Sequence, residues 1–363
     1  MSLKAGQLPD WDYKFHTIID NFSGGVYDPY WGTYGAMILH GGGHASTYDN
    51  SVLILDFNDL TFKRLSNASP QSAFTDVNDD PLFNHLTGEF GDGQPGSGHS
   101  FDILAILPPS DGGAAAGSLL RVSGHGVHYR MSRSNNWAHR FDITPSMAQG
   151  TRGSWVHATD SAPTGYTAPG ACSAYDATRK RVWWMSNLSS QPPLIRYLDV
   201  PARAQRTVFF ADDTRVAPQS HSDAMAMRYH APLDILILSC STIDTTFAMA
   251  FLDCKNPEAG WSRVTVSAQV PTAFGNSHPF DYVPEIDRYV MLAPGDGSAV
   301  YEIQVPADPA AMWSVTRRTF TGLATIPRSY VTGKRWSYAP AVKAFVWQAR
   351  HDTPLHVYRP FGT

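Results

Sequence analysis

The sequence predicts an all-β chain built from a repeated unit of short antiparallel strands. Three observations carry this. Short apolar runs with period-two alternation recur along the chain, each bounded by Gly, Asn, Asp or Pro. No segment keeps a helical apolar period. The composition, with 29 Gly, 26 Pro, 12% aromatic and only 17% charged residues, suits strands and turns and argues against coiled coil or disorder.

The clearest unit is residues 35–65, GAMILHGGGHASTYDNSVLILDFNDLTFKRL. It opens on the apolar run from Ala36 to Leu39 and breaks on Gly41, Gly42 and Gly43. After Asp49 and Asn50 it resumes as Val52, Ile54 and Leu55-Asp56-Phe57, turns on Asn58-Asp59, and ends in a strand over 61–65. Glycine is expected after the first strand because a positive φ or a close backbone approach leaves no room for a Cβ. The apolar run ending in Gly-Gly, the Asn before the next strand and the Leu55-Asp56 pair resemble a kelch repeat, the four-stranded blade of kelch and galactose-oxidase-like β-propellers. That resemblance implies a ring of such blades.

With strands named a to d from the centre outwards, the later units follow in order. The second has strands at 101–107, 119–123, 127–131 and 137–141, and the third at 173–176, 181–186, 194–200 and 206–210. The fourth has them at 224–229, 235–240, 247–253 and 261–266, the fifth at 280–283, 289–292, 299–305 and 313–320. The sixth shows only 337–339, 345–348 and 355–358, while residues 11–19, WDYKFHTII, stand spare and match the outer strands WAHRF and WSVTRRTF. They are therefore expected to complete the last blade and close the ring, which removes exposed sheet edges. The expectation is a single domain over 1–363, a six-bladed kelch-like β-propeller with blades at 34–65, 101–141, 173–210, 224–266, 280–320 and 337–358 and a long insertion loop at 66–100. A seventh blade drawn from 66–98 or 143–170 is the alternative count.

In such a ring the d–a and b–c connections leave on one face. Here they are long (20–33, 66–100, 143–170, 211–221 and 321–336), whereas the opposite turns are tight, so the long-loop face is expected to carry function. Nine of the 14 histidines fall on it: His40, His44, His85, His99, His125, His157, His221, His278 and His351. His99, His221 and His278 share one slot, just before strand a, and would gather near the channel mouth. There they could hold a divalent metal, act as general bases, or simply bond backbone of a neighbouring blade. Arg152 or Arg328 could neutralise an acidic substrate. Tyr30, Trp31, His44, Tyr48, His125, Trp155 and Trp336 are the binding candidates, since rings on this face could stack on sugars or anchor a partner. In GHGVHYR, His128 and Arg130 fall on one side of a strand and Tyr129 on the other, which splits that cluster. Asp76, Asn78 and Asp80 have the spacing of a calcium loop, but Pro81 stands where such a loop needs Gly.

The chain contains no GxxxxGK[ST], HExxH or GxSxG, which removes the commonest nucleotide, zinc-protease and serine-hydrolase readings. With 28 basic and 32 acidic residues and no basic run, nucleic acid is not an expected partner. No apolar stretch is long enough for a membrane span, and Met1–Asp10 has no apolar signal core, so synthesis in the cytoplasm is expected. Cys172, Cys240 and Cys254 make no disulfide framework and are expected as buried free thiols. Two functions follow from this reading. One is a non-catalytic interaction module offering the long-loop face to a protein or glycan, which needs no cofactor and, by analogy with propellers in phage tails, could belong to a virion. The other is a polysaccharide lyase or other carbohydrate-active enzyme at the histidine-lined mouth, with a divalent metal as its one candidate cofactor.

Overall fold

The computed structural model describes residues 18–19, 23–41, 49–69, 89–90, 92–96, 98, 100, 102–122, 137–144, 155–160, 172–185, 194–211, 220–242, 247–271, 278–293, 296–319, 335–347 and 354–360. They form six antiparallel sheets, here called blades one to six. Blade one is β1 (Gly24–Asp28), β2 (Ala36–His40), β3 (Leu53–Asp56) and β4 (Thr61–Arg64). Blade two is β5 (Leu104–Leu107), β6 (Ser118–Arg121), β7 (His139–Asp142) and β8 (Trp155–His157). Blade three is β9 (Cys172–Asp176), β10 (Arg181–Met185), β11 (Leu194–Asp199) and β12 (Ala204–Phe209). Blade four is β13 (Ser220–His230), β14 (Ile235–Thr242), β15 (Phe247–Asp253) and β16 (Ser262–Arg263). Blade five is β17 (Phe280–Val283), β18 (Arg288–Leu292), β19 (Ala299–Gln304) and β20 (Ser314–Thr319). Blade six, among the described residues, is β21 (Ser337–Ala339), β22 (Ala344–Trp347) and β23 (His356–Tyr358).

The middle strands are apolar on both faces because each blade is covered on both sides by its neighbours. In β2, Ile38 enters the cluster shared with blade two, whereas Met37 and Leu39 enter the one shared with blade six. Six apolar clusters among the described residues fill the six junctions between successive blades. The sixth joins Leu39, Leu55 and Phe62 of blade one to Ala339 and Val346 of blade six, and so closes the ring. The fold is a six-bladed β-propeller. Burying one Leu, Ile or Phe contributes about 1.5–3 kcal/mol, so each junction resists opening by many kcal/mol. The outer strands β12 and β20 are mostly exposed and carry Arg206, Arg317 and Arg318, charges that discourage edge-to-edge pairing. No helix among the described residues is long and apolar enough to cross a membrane.

The strands of blades three to six lie where the alternation places them, and blades one and two differ. Gly24–Asp28 is the innermost strand of blade one, inside a segment expected to be a connection, so Ala36–His40 is its second strand. In blade two, residues 137–141 do not supply the outer strand. β7 is third in its sheet, and Trp155–His157 is the outer strand, drawn from the segment 143–170 that was the source of an alternative seventh blade. The spare strand expected at 11–19 lies outside the described residues except for Ile18 and Ile19. These two have helical backbone and are buried against blades one and six, where Arg335 donates to the Ile19 carbonyl at 2.7 Å.

The tight a–b turns of blades three to six share one device. Each ends on a non-glycine residue with left-handed backbone, Lys180 (φ 56°), Asp234 (φ 57°), Asp287 (φ 51°) and Lys343 (φ 49°). A Tyr stands five positions before each: Tyr175, Tyr229, Tyr282 and Tyr338. Tyr229 donates to Asp234 at 2.9 Å and Tyr282 to Asp287 at 2.6 Å, tying the inner strand to its own turn. At the axis, Arg228 of β13 reaches Asp102 at 3.1 Å and Asp281 of β17 at 3.5 Å. Asp102 also accepts from the Met227 amide at 2.8 Å, while its carbonyl accepts from the Ser173 amide at 2.9 Å. Asp281 accepts from the Tyr338 amide at 2.9 Å, so one ionic clip links blades two to six.

Candidate functional site

The long-loop ends of blades one and two gather a set of polar side chains, most of them buried. β2 ends on His40, β6 ends on Arg121, β7 opens on His139 and β8 ends on His157. Within blade two, Arg121 pairs with His139 and His139 with His157, so the three stand in one cross-strand row on one side of the sheet. The connection between β4 and β5 brings Glu89 to this row. Glu89 bridges to Pro95, Phe90 donates to the Gln94 carbonyl at 2.9 Å, and Asn50 holds the Pro95 carbonyl at 3.0 Å. Ser100 fastens the end of the same connection by bonding the His40 carbonyl at 2.5 Å and accepting from the Gly24 amide at 2.6 Å. Gly41 is required beside it. Its φ is +97°, and a Cβ there would lie 2.5 Å from the Ser100 hydroxyl and 2.6 Å from the Gly98 carbonyl.

Both imidazoles of the row meet one carboxylate oxygen. His139 Nε2 lies 2.8 Å and His157 Nε2 2.5 Å from Glu89 Oε1. Trp137 stacks on His157 with centroids 4.0 Å apart, and Trp155 lies 4.8 Å from the His40 ring. Burial pushes His139 down to about 4, assisted by the nearby Arg121 charge, although Glu89 pulls the other way. Burial also lowers His40 to about 3, with Arg121 adding to it, and lowers Arg121 itself to about 10. Burial works to raise Glu89, but its bonds to the two imidazoles prevail and hold it below the usual carboxylate value. At neutral pH the site therefore holds an ionised Glu89, a charged Arg121 and neutral His40 and His139. Several buried atoms here have no hydrogen-bond partner among the described residues: His40 Nε2, Arg121 Nε and Nη1, His139 Nδ1 and Trp155 Nε1. Each such group costs about 1–3 kcal/mol when left unpaired, and folded proteins keep few of them. Chemically the arrangement offers a carboxylate–imidazole pair for proton transfer through the half-exposed His157, and three groups of metal-ligand type.

Of the expected binding candidates Trp155 belongs to this cluster, and of the nine histidines expected on this face His40 and His157 do. His44, Tyr48, His99, His125 and Arg152 lie outside the described residues, as do Arg328 and the Asp76, Asn78 and Asp80 group. His221 lies within β13 rather than just before it. His278 is buried with its ring against Phe247 (5.0 Å) and its Nε2 3.1 Å from the Pro271 carbonyl; burial lowers it to about 4. Trp336 is buried, stacks on Phe345 at 4.3 Å and donates to the Val290 carbonyl. Tyr30 and Trp31 are a correction. Because Gly24–Asp28 is a strand, both lie in the a–b connection on the short-turn face, where the Trp31 carbonyl meets Asn58 of the β3–β4 turn.

Glu89, Arg121 and His139 were not among the expected site residues. Their signal was the spacing of 18 positions from Arg121 to His139 and again to His157, legible only once the strands of blade two are in phase. A second acidic group, Asp176 and Asp234 with Cys254, lies at the opposite end of the strands. Its charge is taken up by Arg179, which bonds Asp234 at 2.6 and 2.7 Å and Asp176 at 3.1 Å.

No protein-family model matches the chain, and no curated protein matches it in sequence. Among solved structures it is similar to a structural-genomics protein of unknown function from Bacteroides thetaiotaomicron VPI-5482, with a TM-score of 0.50 and 7% identity over 90% of this chain and 67% of that one. It is also similar to a proposed 6-phosphogluconolactonase from Bacteroides fragilis NCTC 9343, with a TM-score of 0.42 and 10% identity over 82% of this chain and 69% of that one. A proposed 6-phosphogluconolactonase from Bacteroides uniformis ATCC 8492 aligns with a TM-score of 0.40 and 12% identity, over 82% of this chain and 70% of that one. At such identities the likeness concerns the fold alone, and a shared fold does not carry a shared activity.

Proposed function

We propose that the protein is a binding propeller that offers its long-loop face to an acidic glycan, with the contact centred where blades one and two meet. The observation that supports this most is the row Arg121, His139 and His157 closing on Glu89. The buried Arg121 guanidinium lends its positive charge to the half-exposed His157, where a sugar carboxylate would meet the row, and Trp137, stacked on His157, offers a ring for a sugar. Calorimetry with oligogalacturonate and with a neutral oligosaccharide of equal length tests it. Binding of the acidic oligomer alone, weakened by salt and by Trp137→Ala, is expected; equal heats from both oligomers, or none from either, would sink the proposal.

A second reading, a polysaccharide lyase, draws on the Glu89–His157 contact, which could orient an imidazole to take the proton beside a uronate carboxylate. The same mixtures would then gain the ultraviolet band of unsaturated uronates. Incorporation into a larger particle after synthesis in the cytoplasm, such as a phage tail or host-recognition structure, draws on the exposed Phe209, Met312 and Val357 of blades three, five and six. Electron microscopy of the native source would show the assembly or a free chain. The kelch-like character of residues 35–65 belongs to the same proposal and extends to fold, not to a shared ligand.

A further inference from the structure

We propose that Glu89, His139 and His157 form a binding site for a divalent transition metal, with Zn²⁺ the best-suited ion. The inference goes beyond the glycan reading and does not rest on it. One potential ligand atom from each residue lies within 4.8 Å of the others. The two rings stand 5.4 Å apart and 74° to one another, yet both Nε2 atoms are directed at the same carboxylate oxygen. The three ligand atoms are thereby gathered at one place, where an ion set between them would replace the two imidazole–carboxylate hydrogen bonds.

The site is also held in place. His139 and His157 sit at the ends of paired strands, the Trp137 ring fixes one imidazole, and the Glu89–Pro95 bridge and Asn50 fix the carboxylate. Bonds to Zn²⁺ of about 2.0–2.1 Å would set neighbouring ligand atoms about 3.3 Å apart in a tetrahedron. The present separations of 2.5 and 2.8 Å need an opening of under ~1 Å, within reach of small side-chain rotations. Two imidazole nitrogens and one carboxylate favour Zn²⁺, Co²⁺ or Ni²⁺ over Ca²⁺ or Mg²⁺, which prefer oxygen shells. Three protein ligands leave a coordination position open. Arg121 opposes the ion's charge, so the bound state carries excess positive charge that an anion at the open position would offset.

The test is titration of the full chain, stripped with EDTA and dialysed, with Zn²⁺ against a chromogenic chelator, and with Co²⁺ followed by its visible absorption. One Zn²⁺ per chain is expected. His157→Ala should weaken uptake by more than roughly 100-fold, beyond what losing an outer-shell partner costs, and Glu89→Gln should weaken it too. His157 is half-exposed, so its variant should keep the wild-type circular dichroism, and His356→Ala on blade six should titrate like the wild type. Absence of saturable uptake would reduce the trio to a carboxylate bonded by two imidazoles, and uptake indifferent to His157→Ala and Glu89→Gln would place the ion elsewhere. Either result overturns the proposal. Because no glycan is present, neither bears on the glycan reading.

Discussion

Removing Arg228 tests how the ring is held at its axis. Its guanidinium is the counter-charge for Asp102, which is wholly buried, and it reaches Asp281 from the opposite side. In Arg228→Met the Met227 amide still donates to Asp102, but the buried carboxylate loses the guanidinium that faces it. Breaking a buried pair in this way costs about 3–5 kcal/mol, against a total stability of about 5–15 kcal/mol. At about 2.1 cal/mol/K per residue, unfolding 363 residues carries an entropy of about 0.8 kcal/mol/K, so the Tm should fall by about 4–6 °C. Scanning calorimetry reads this directly. The double variant Asp102→Asn, Arg228→Met removes the stranded charge and should recover half or more of the loss, because contacting residues are not additive. A fall below about 1 °C in the single variant, or a double variant no milder than the single, would refute the clip as a stabilising link.

Two further expectations concern buried titratable groups. Asp28 is wholly buried, has one oxygen without a partner among the described residues, and is pushed by burial up to about 7 despite the Tyr30 amide. The folded chain therefore keeps a proton that the unfolded chain releases near 3.8, so stability from this group is full below that value and is lost as pH rises through 7. The loss should reach roughly 4 kcal/mol at most by pH 8. Urea midpoints should show it in the wild type and not in Asp28→Asn; parallel pH profiles would contradict the assignment. The free thiols Cys172, Cys240 and Cys254 are buried, and burial pushes both Cys240 and Cys254 up to about 12. A thiol reagent should find none of the three in the native protein and all three in denaturant, and rapid native labelling would show that the apolar junctions open.

How far the sequence could be read depended on strand strength. Blades three to six have inner and middle strands rich in aromatic and aliphatic residues, such as RVWWM and ILILSCST, and their tight turns keep the strands in step. The Tyr five positions before each left-handed turn residue is a further marker of these turns. Blade one lost its inner strand because GGVYD opens on two glycines and holds one aliphatic residue, Val26, so no alternation marks it. Blade two slipped because its outer strand is only Trp155–His157, and His139 read as part of an edge strand when it is a buried residue of the third. That slip concealed the site. The histidine count pointed to the face on which this cluster lies and included His40 and His157. The row through Arg121 and His139 exists only in the true register, and Glu89 arrives from a connection whose course no local periodicity encodes.

The claim on which the rest depends is that ligand meets this protein at the long-loop ends of blades one and two. Hydrogen exchange of the full chain, with and without saturating oligogalacturonate, measures where contact falls. Protection is expected in residues 89–96 and in β6, β7 and β8, with little change at Tyr30 or at the Tyr282–Asp287 turn on the opposite face. Protection centred on those short turns, with β6 to β8 unchanged, would contradict the account.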